Sequence, residues 1–301
     1  MEIYQLRYFL AVAELGNFTR AAERSSVTQP SLSQQILNLE KELGHKLFHR
    51  LGRRAVLTEA GATFLERARR ILFEVENATK ELSDQPGLER RITVGAVQTV
   101  MPYLVTPCIA RCQKLHPNLI VDAREDFREN LLEAVIGGEL DLAVVPLPLK
   151  DRRVATELLL TEPLLLVVGR NHPIATRREV RVDELARETF VSMGAASALS
   201  AQIRTFFGDQ KIEPKIGYRC AQVATLKLFV SLELGISILP QLARLPDDND
   251  SLTYASLSGP MPTRQLVVIR HLQRYQSRGA ESFLRVLREE AAKHATAAAK
   301  G

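Results

Sequence analysis

Residues 28–44 read TQPSLSQQILNLEKELG. Hydroxyls, amides and a proline come first, and only afterwards do Leu32, Ile36, Leu39 and Leu43 recur at the spacing of one helical face. Thr28 is placed to cap this helix, and Pro30 is tolerated because first-turn N–H groups have no partner within the helix. The apolar stripe must pack against something. Gln29, Ser33 and Gln34 are then left free near the exposed N-terminal end, where amides and hydroxyls suit base edges in a major groove and the positive helix end suits phosphate. An ordinary capped surface helix has the same composition, so the neighbouring segments decide.

Upstream, Leu6, Phe9, Leu10 and Ala13 mark one face of a helix that Gly16 can end. A second short helix follows the N-cap Asn17, with Phe18, Ala21 and Ala22 facing inward. Three short helices joined by tight turns match a helix-turn-helix. Downstream, residues 46–57 read KLFHRLGRRAVL and bring Lys46, Arg50, Arg53 and Arg54 around the turn residue Gly52 with no acidic residue among them. This predicts a β-hairpin wing carrying cations to a nucleic-acid backbone or minor groove.

From Thr58 onward the pattern is continuous helix. Gly61, Phe64, Ala68, Ile71, Val75, Ala78 and Leu82 form a heptad seam, and Phe64, Ala68, Ile71 and Val75 are its candidate dimerisation residues. Pro86 and Gly87 mark a boundary. The expected organisation is a winged helix-turn-helix over 1–58, a linker and dimerisation helix over 59–87, and a regulatory domain over 88–295. Two copies held by the linker would engage two half-sites at once.

Composition limits what the rest can be. The chain has 301 residues, 46% hydrophobic and 25% charged, which is ordinary for a folded two-domain protein. Its first residues do not resemble a cleaved leader and no run approaches a membrane span, so a cytoplasmic location is expected. Three cysteines make no disulfide framework. A net charge of +5 permits an anionic partner. No GxSxG, P-loop, HExxH or dinucleotide fingerprint is present, so neither an enzyme nor a cofactor or metal site is expected. A free-standing solute-binding protein would fit the second half alone but not the N-terminal module.

Beyond Arg91, β-rich runs such as ITVGAV, LIVDA, LDLAVV, LLLVVG and LVVIRH alternate with helical patterns, predicting parallel sheets flanked by helices. LLLVVG and LVVIRH suggest two crossings between lobes, with lobe I over about 88–162 and 268–295 and lobe II over about 163–267. Ligands bind outside the carboxyl ends of strands in such folds. The candidate effector residues are therefore Gln98, Thr99 and Val100 in one turn, Ser197 in a second, and Gln222 and Val223 in a third. Arg128 is a candidate counter-charge. Helix N-termini bearing hydroxyls and amides favour a small carboxylate. Cys108, Cys112 and His116 share a helix face, but the apolar stripe with Ile109 and Leu115 makes buried structural cysteines the expectation.

In order of segments, and above all in LRYFLAVAELGNFTRAAERSSVTQPSLSQQILNLEKELGHKLFHRLGRRAVLTEAG, the chain resembles the LysR-type transcriptional regulators over essentially its whole length. VGAVQTVMPYL and LKLFVSLELGISILP extend the resemblance into the second half. It implies an α/β fold of winged helix-turn-helix, long linker helix and a two-lobed domain like that of periplasmic binding proteins. It further implies contact with a double-stranded DNA operator through Thr28, Gln29, Pro30, Ser31, Ser33 and Gln34, with Arg50, Arg53 and Arg54 on the backbone or wing side. A small-molecule coinducer between the lobes and a dimer-of-dimers tetramer follow from the same resemblance, and RNA polymerase stands as a further candidate partner. The turn at Thr99 is similar to that of the family's peroxide-sensing branch, where a threonine lies by a reactive cysteine. The segment GAASALSAQIRTFFGDQ, where that branch keeps its redox pair, contains no cysteine. A regulator responding to redox state is the alternative to one that binds a metabolite.

Overall fold

Three helices open the chain: α1 (Ile3–Leu15), α2 (Phe18–Arg24) and α3 (Gln29–Leu43). Gly16 ends α1 in the left-handed region at φ 60°, which its missing Cβ allows. Asn17 Oδ1 accepts hydrogen bonds from the backbone N–H groups of Thr19 and Arg20, and Thr28 Oγ1 accepts one from Ser31 at 3.4 Å. Leu6, Phe9, Val12, Ala21, Leu32, Ile36 and Leu39 are buried together, so the stripe read from the sequence is the face that packs. In this computed structural model the described residues are 1–52, 54–83, 90–259 and 261–298.

The wing is a hairpin of β1 (Phe48–Leu51) and β2 (Arg54–Leu57), paired antiparallel with Phe48 opposite Leu57. Buried Glu40, near the end of α3, accepts from the backbone N–H groups of Leu47 and Phe48 at 2.7 and 3.2 Å and so fixes where the wing begins. Thr58 Oγ1 donates to the Lys46 carbonyl and accepts from Gly61 N–H, turning the chain into α4 (Glu59–Ser83). A side chain at Gly61 would collide with the Leu47 carbonyl, so close approach of the helix to the wing requires glycine here.

The heptad seam divides along α4. Ala68 is fully buried and the Phe64 ring lies edge-on to Phe9 at 5.1 Å between centroids, so both pack into the domain's own core, as does Leu72. Ile71 is 37% exposed and Leu82 79%, with Ala78 exposed and Val75 half-buried. Ala68 is therefore closed off within the single chain, and Phe64, half-buried, is shared between the core and the open side. The sequence pattern could not separate the two uses, because a core-facing helix and a coiled-coil helix carry the same apolar spacing.

The chain divides into two compact units, Met1–Ser83 and Asp84–Gly301. The second contains β3 (Arg90–Ala96), a π turn (Met101–Val105), α5 (Thr106–Leu115), β4 (Leu119–Glu125), α6 (Arg128–Ile136), β5 (Leu142–Pro146) and the long β6 (Val154–Gly169). There follow β7 (Glu179–Arg181), β8 (Thr189–Met193), α7 (Ala198–Asp209), β9 (Lys215–Cys220), α8 (Val223–Ser231), β10 (Ser237–Pro240), β11 (Leu252–Ser258), β12 (Thr263–His271) and α9 (Arg278–Ala298). The proposed boundary residues Pro86 and Gly87 lie outside the described residues.

Strand order in the larger sheet is β4-β3-β5-β12-β6-β11-β7, with β10 also on β6, while β8 and β9 form a separate parallel pair. β3 is parallel to β4 and β5, but β12 is antiparallel to both β5 and β6. The expectation of parallel sheets thus gives way to a mixed one. β6 leaves the first lobe and β12 returns to it, and two adjacent strands crossing one boundary in opposite senses pair antiparallel. Two apolar cores result, one holding Val94, Leu142, Val144, Leu160, Phe283 and Leu287, the other Leu166, Phe190, Phe207, Leu226 and Ile238. Leu266 and Val267 already sit in the first core, so the return crossing comes a few residues earlier than 268.

Candidate DNA-reading face and interlobe cleft

At the start of α3, Thr28, Gln29, Pro30, Ser31 and Gln34 are exposed and Ser33 is half-buried between α3 and the wing. Gln34 Nε2 donates to Asn38 Oδ1 at 3.0 Å, which orients the amide along the helix. Arg50 reaches back from β1 and donates to Ser33 Oγ at 2.8 Å, with its guanidinium carbon 4.6 Å from the centre of the Phe18 ring. Arg54 is exposed at the start of β2, and Arg53 lies outside the described residues. The exposed N-terminal end of α3 and Arg50 of the wing thus belong to one face of the first unit. Phe18, read from the sequence as a core residue, also touches this face. Nothing in its own helical pattern signals that.

In the second unit, a cleft of about 390 Å³ opens between the N-terminal ends of α6 and α7. Phe127, Arg128, Glu129 and Asn130 line it from lobe I, and Ala195, Ala196, Ser197, Ala198 and Ala201 from lobe II. Arg128 is oriented by the Pro148 carbonyl at 3.0 Å and by Glu129 Oε1 at 2.7 Å. Ser197 is the buried N-cap residue of α7, with no side-chain capping bond. Of the seven residues expected to hold an effector, the structure brings Arg128 and Ser197 together. The flanking Gln202 donates its Nε2–H to the Leu147 carbonyl at 2.9 Å, while its Oε1 is buried without a donor among the described residues.

The other five are disposed differently. Thr99 and Val100 are buried, at 3% and 0% exposure, and Gln98, half-buried beside them, does not line the cleft. Gln222 caps α8 as an exposed residue, and Val223 faces the core of lobe II. Thr99 is occupied: Arg264 Nη1 donates to its hydroxyl at 2.7 Å and Nη2 to its carbonyl at 3.2 Å. The same guanidinium donates through Nε to Glu162 Oε1 at 2.8 Å, and Glu162 Oε2 accepts from Leu242 N–H. Arg264 and Glu162 are register partners on β12 and β6, where those strands cross between the lobes. A single arginine before the apolar run LVVIRH was the available signal, but its partners lie far away in sequence.

A second buried polar group lies nearby in lobe II. Lys227 Nζ pairs with Asp248 Oδ2 at 2.6 Å and sits 5.5 Å from the Tyr103 ring centre. Burial alone would raise the Asp248 carboxyl, but hydrogen bonds from Leu245 N–H, Lys227 and Tyr254 outweigh it and hold the group below its usual range.

Burial pushes the Cys108 thiol up to about 12, reinforced by Glu290, and also raises Cys112 and Cys220. All three are buried and free of disulfides. Leu115, expected on the same apolar stripe, is instead 54% exposed. Among the described residues no cluster of His, Cys, Asp and Glu is arranged to hold a metal ion, and no helix is long and apolar enough to cross a membrane.

A winged helix-turn-helix followed by a two-lobed α/β domain with an interlobe cleft defines a DNA-binding protein with an appended sensing module. Residues 3–62 match the family model for the bacterial regulatory helix-turn-helix protein, lysR family, and residues 85–292 match the LysR substrate binding domain. The chain belongs to the LysR family of DNA-binding transcriptional regulators. It is 32% identical over 272 residues, 89% of each chain, to the DNA-binding transcriptional dual regulator OxyR of Escherichia coli strain K12. A hydrogen peroxide-inducible genes activator of Dickeya chrysanthemi is 31% identical over 273 residues, again 89% of each chain. Full-length OxyR of Pseudomonas aeruginosa has a similar structure, with a TM-score of 0.72 and 25% identity over 97% of this chain and 94% of that one.

Proposed function

We propose that this regulator adjusts its DNA binding in response to a small organic anion held in the interlobe cleft. The observation that carries the reading is the meeting of Arg128 and Ser197, from opposite lobes, at the N-terminal ends of α6 and α7 across one cleft. Both helix ends offer backbone N–H groups and a positive dipole end, and Arg128 adds a guanidinium that an anion would share with the Glu129 carboxylate beside it. A ligand touching both lobes favours one lobe separation over another, which is how binding would be passed on to the DNA-reading units. Gln29, Ser31 and Gln34 would read the groove, with Arg50 and Arg54 on phosphate. Two chains would pair through the open stripe of α4 and pairs would join as tetramers.

A thermal-shift screen of small carboxylic acids on the full chain tests the site. A ligand that binds only the folded state raises the melting temperature, and Arg128→Ala should weaken it by about ten- to a hundredfold, the loss of one charged hydrogen bond. An authentic ligand indifferent to Arg128→Ala would place the effector elsewhere.

The peroxide-inducible relative makes the redox reading the natural competitor. Against it stand three buried thiols, each pushed up by burial, which disfavours the thiolate, the form that peroxide attacks. Replacing Cys108, Cys112 and Cys220 together by alanine or serine should leave regulated DNA binding intact apart from packing losses. A peroxide-dependent, reductant-reversible change in operator binding that disappears in the triple variant would favour the redox reading instead.

A further inference from the structure

Arg50 sits where three parts of the DNA-binding unit meet. It stems from the wing strand β1, its Nη1 donates to Ser33 Oγ of α3 at 2.8 Å, and its guanidinium lies over the ring of Phe18, the first residue of α2. The ring is itself held edge-on against Phe48 of the core, 5.7 Å between centroids. Among the described residues no carboxylate stands within ion-pair distance of Arg50, so the charge is stabilised by a ring face and a neutral hydroxyl alone. An exposed arginine without such contacts samples many rotamers, and fixing it on a ligand costs much of that freedom.

We infer that Phe18 is a positioning residue for DNA binding: its ring holds Arg50 against Ser33, so that guanidinium and hydroxyl present one preformed phosphate-binding unit. The inference rests on the reading of this face as the DNA interface. Ser33 Oγ spends a lone pair on Arg50 and keeps its own O–H to donate, while the guanidinium keeps further N–H donors in a fixed fork. Both sets of donors suit phosphate oxygens. Ser33 then contributes to affinity on any sequence, and base reading falls to Gln29, Ser31 and Gln34.

The test uses the full chain, a duplex selected from a randomised pool by the wild-type protein, and a scrambled duplex of the same composition, titrated at several salt concentrations. Phe18→Leu should weaken both duplexes alike, by about two- to fivefold, the value of an exposed cation–π contact converted at a decade per 1.4 kcal/mol. Its salt slope should match wild type, because the cation is still delivered to the phosphate. Phe18→Tyr, which keeps the ring, should restore affinity, and Phe18→Leu should add nothing in an Arg50→Ala background. A folded Phe18→Leu protein with wild-type affinity would overturn the inference, as would equal weakening with and without Arg50, since the ring would then act through packing on Phe48. An Arg50→Ala variant with undiminished binding to either duplex would remove the underlying assignment of this face as well.

Discussion

Arg264→Ala is expected to destabilise the second unit by about 3–5 kcal/mol, the cost of leaving one partner of a buried ion pair behind. Glu162 is 3% exposed and, among the described residues, would keep only the Leu242 N–H as a partner for its carboxylate. Thr99 would lose both of its bonds to the guanidinium, freeing the turn that leads into the π turn and α5. Urea unfolding of the full chain should show the transition of this unit moved to a lower midpoint, with that of Met1–Ser83 in place. The double variant Glu162→Leu with Arg264→Met should recover much of the loss, because two apolar groups in a dry site carry no unpaid desolvation. An Arg264→Ala protein as stable as wild type would mean that water reaches the strand crossing and solvates Glu162 there.

The second large effect concerns assembly. Ile71 is 37% exposed in the single chain, so Ile71→Asp should leave the fold and melting temperature of the monomer nearly unchanged. In a pair of chains packed through the open stripe of Ile71, Val75, Ala78 and Leu82, the same substitution buries an unpaired charge. Light scattering should then report a lower mass. Affinity for a duplex carrying two half-sites should fall by about 10²- to 10⁴-fold, the advantage that linking two modules provides. A variant that still pairs and binds at full strength would show that this stripe faces solvent in the assembly. Phe64 and Ala68 are poor choices for the experiment, since changing them damages the helix-turn-helix core as well.

What the sequence by itself determined is the local architecture of the first unit. The caps at Asn17 and Thr28, the stop at Gly16 and the buried face of Leu32, Ile36 and Leu39 follow from interactions within a few residues along the chain. Periodicity and capping chemistry carry that information directly. The alternation of β-rich runs with helical patterns in the second unit was legible for the same reason, whereas β7, β11 and the mixed strand directions were not. Tertiary structure alone decided which polar residues meet. Thr99 and Arg264 are 165 positions apart and Glu162 and Arg264 are 102 apart; the antiparallel register of β6 and β12 brings the second pair together, and the turn after β3 brings Thr99 to the same guanidinium. The cleft pairs Arg128 with Ser197 because two helices start at facing strand ends, while Gln222, in an equally promising turn, points to solvent. The division of α4 into a core-facing half and an open half was likewise set by packing, since burial of Phe64 and Ala68 depends on α1 and the wing lying across them. A residue's spacing along the chain says which neighbours share its face, and the fold determines what that face meets.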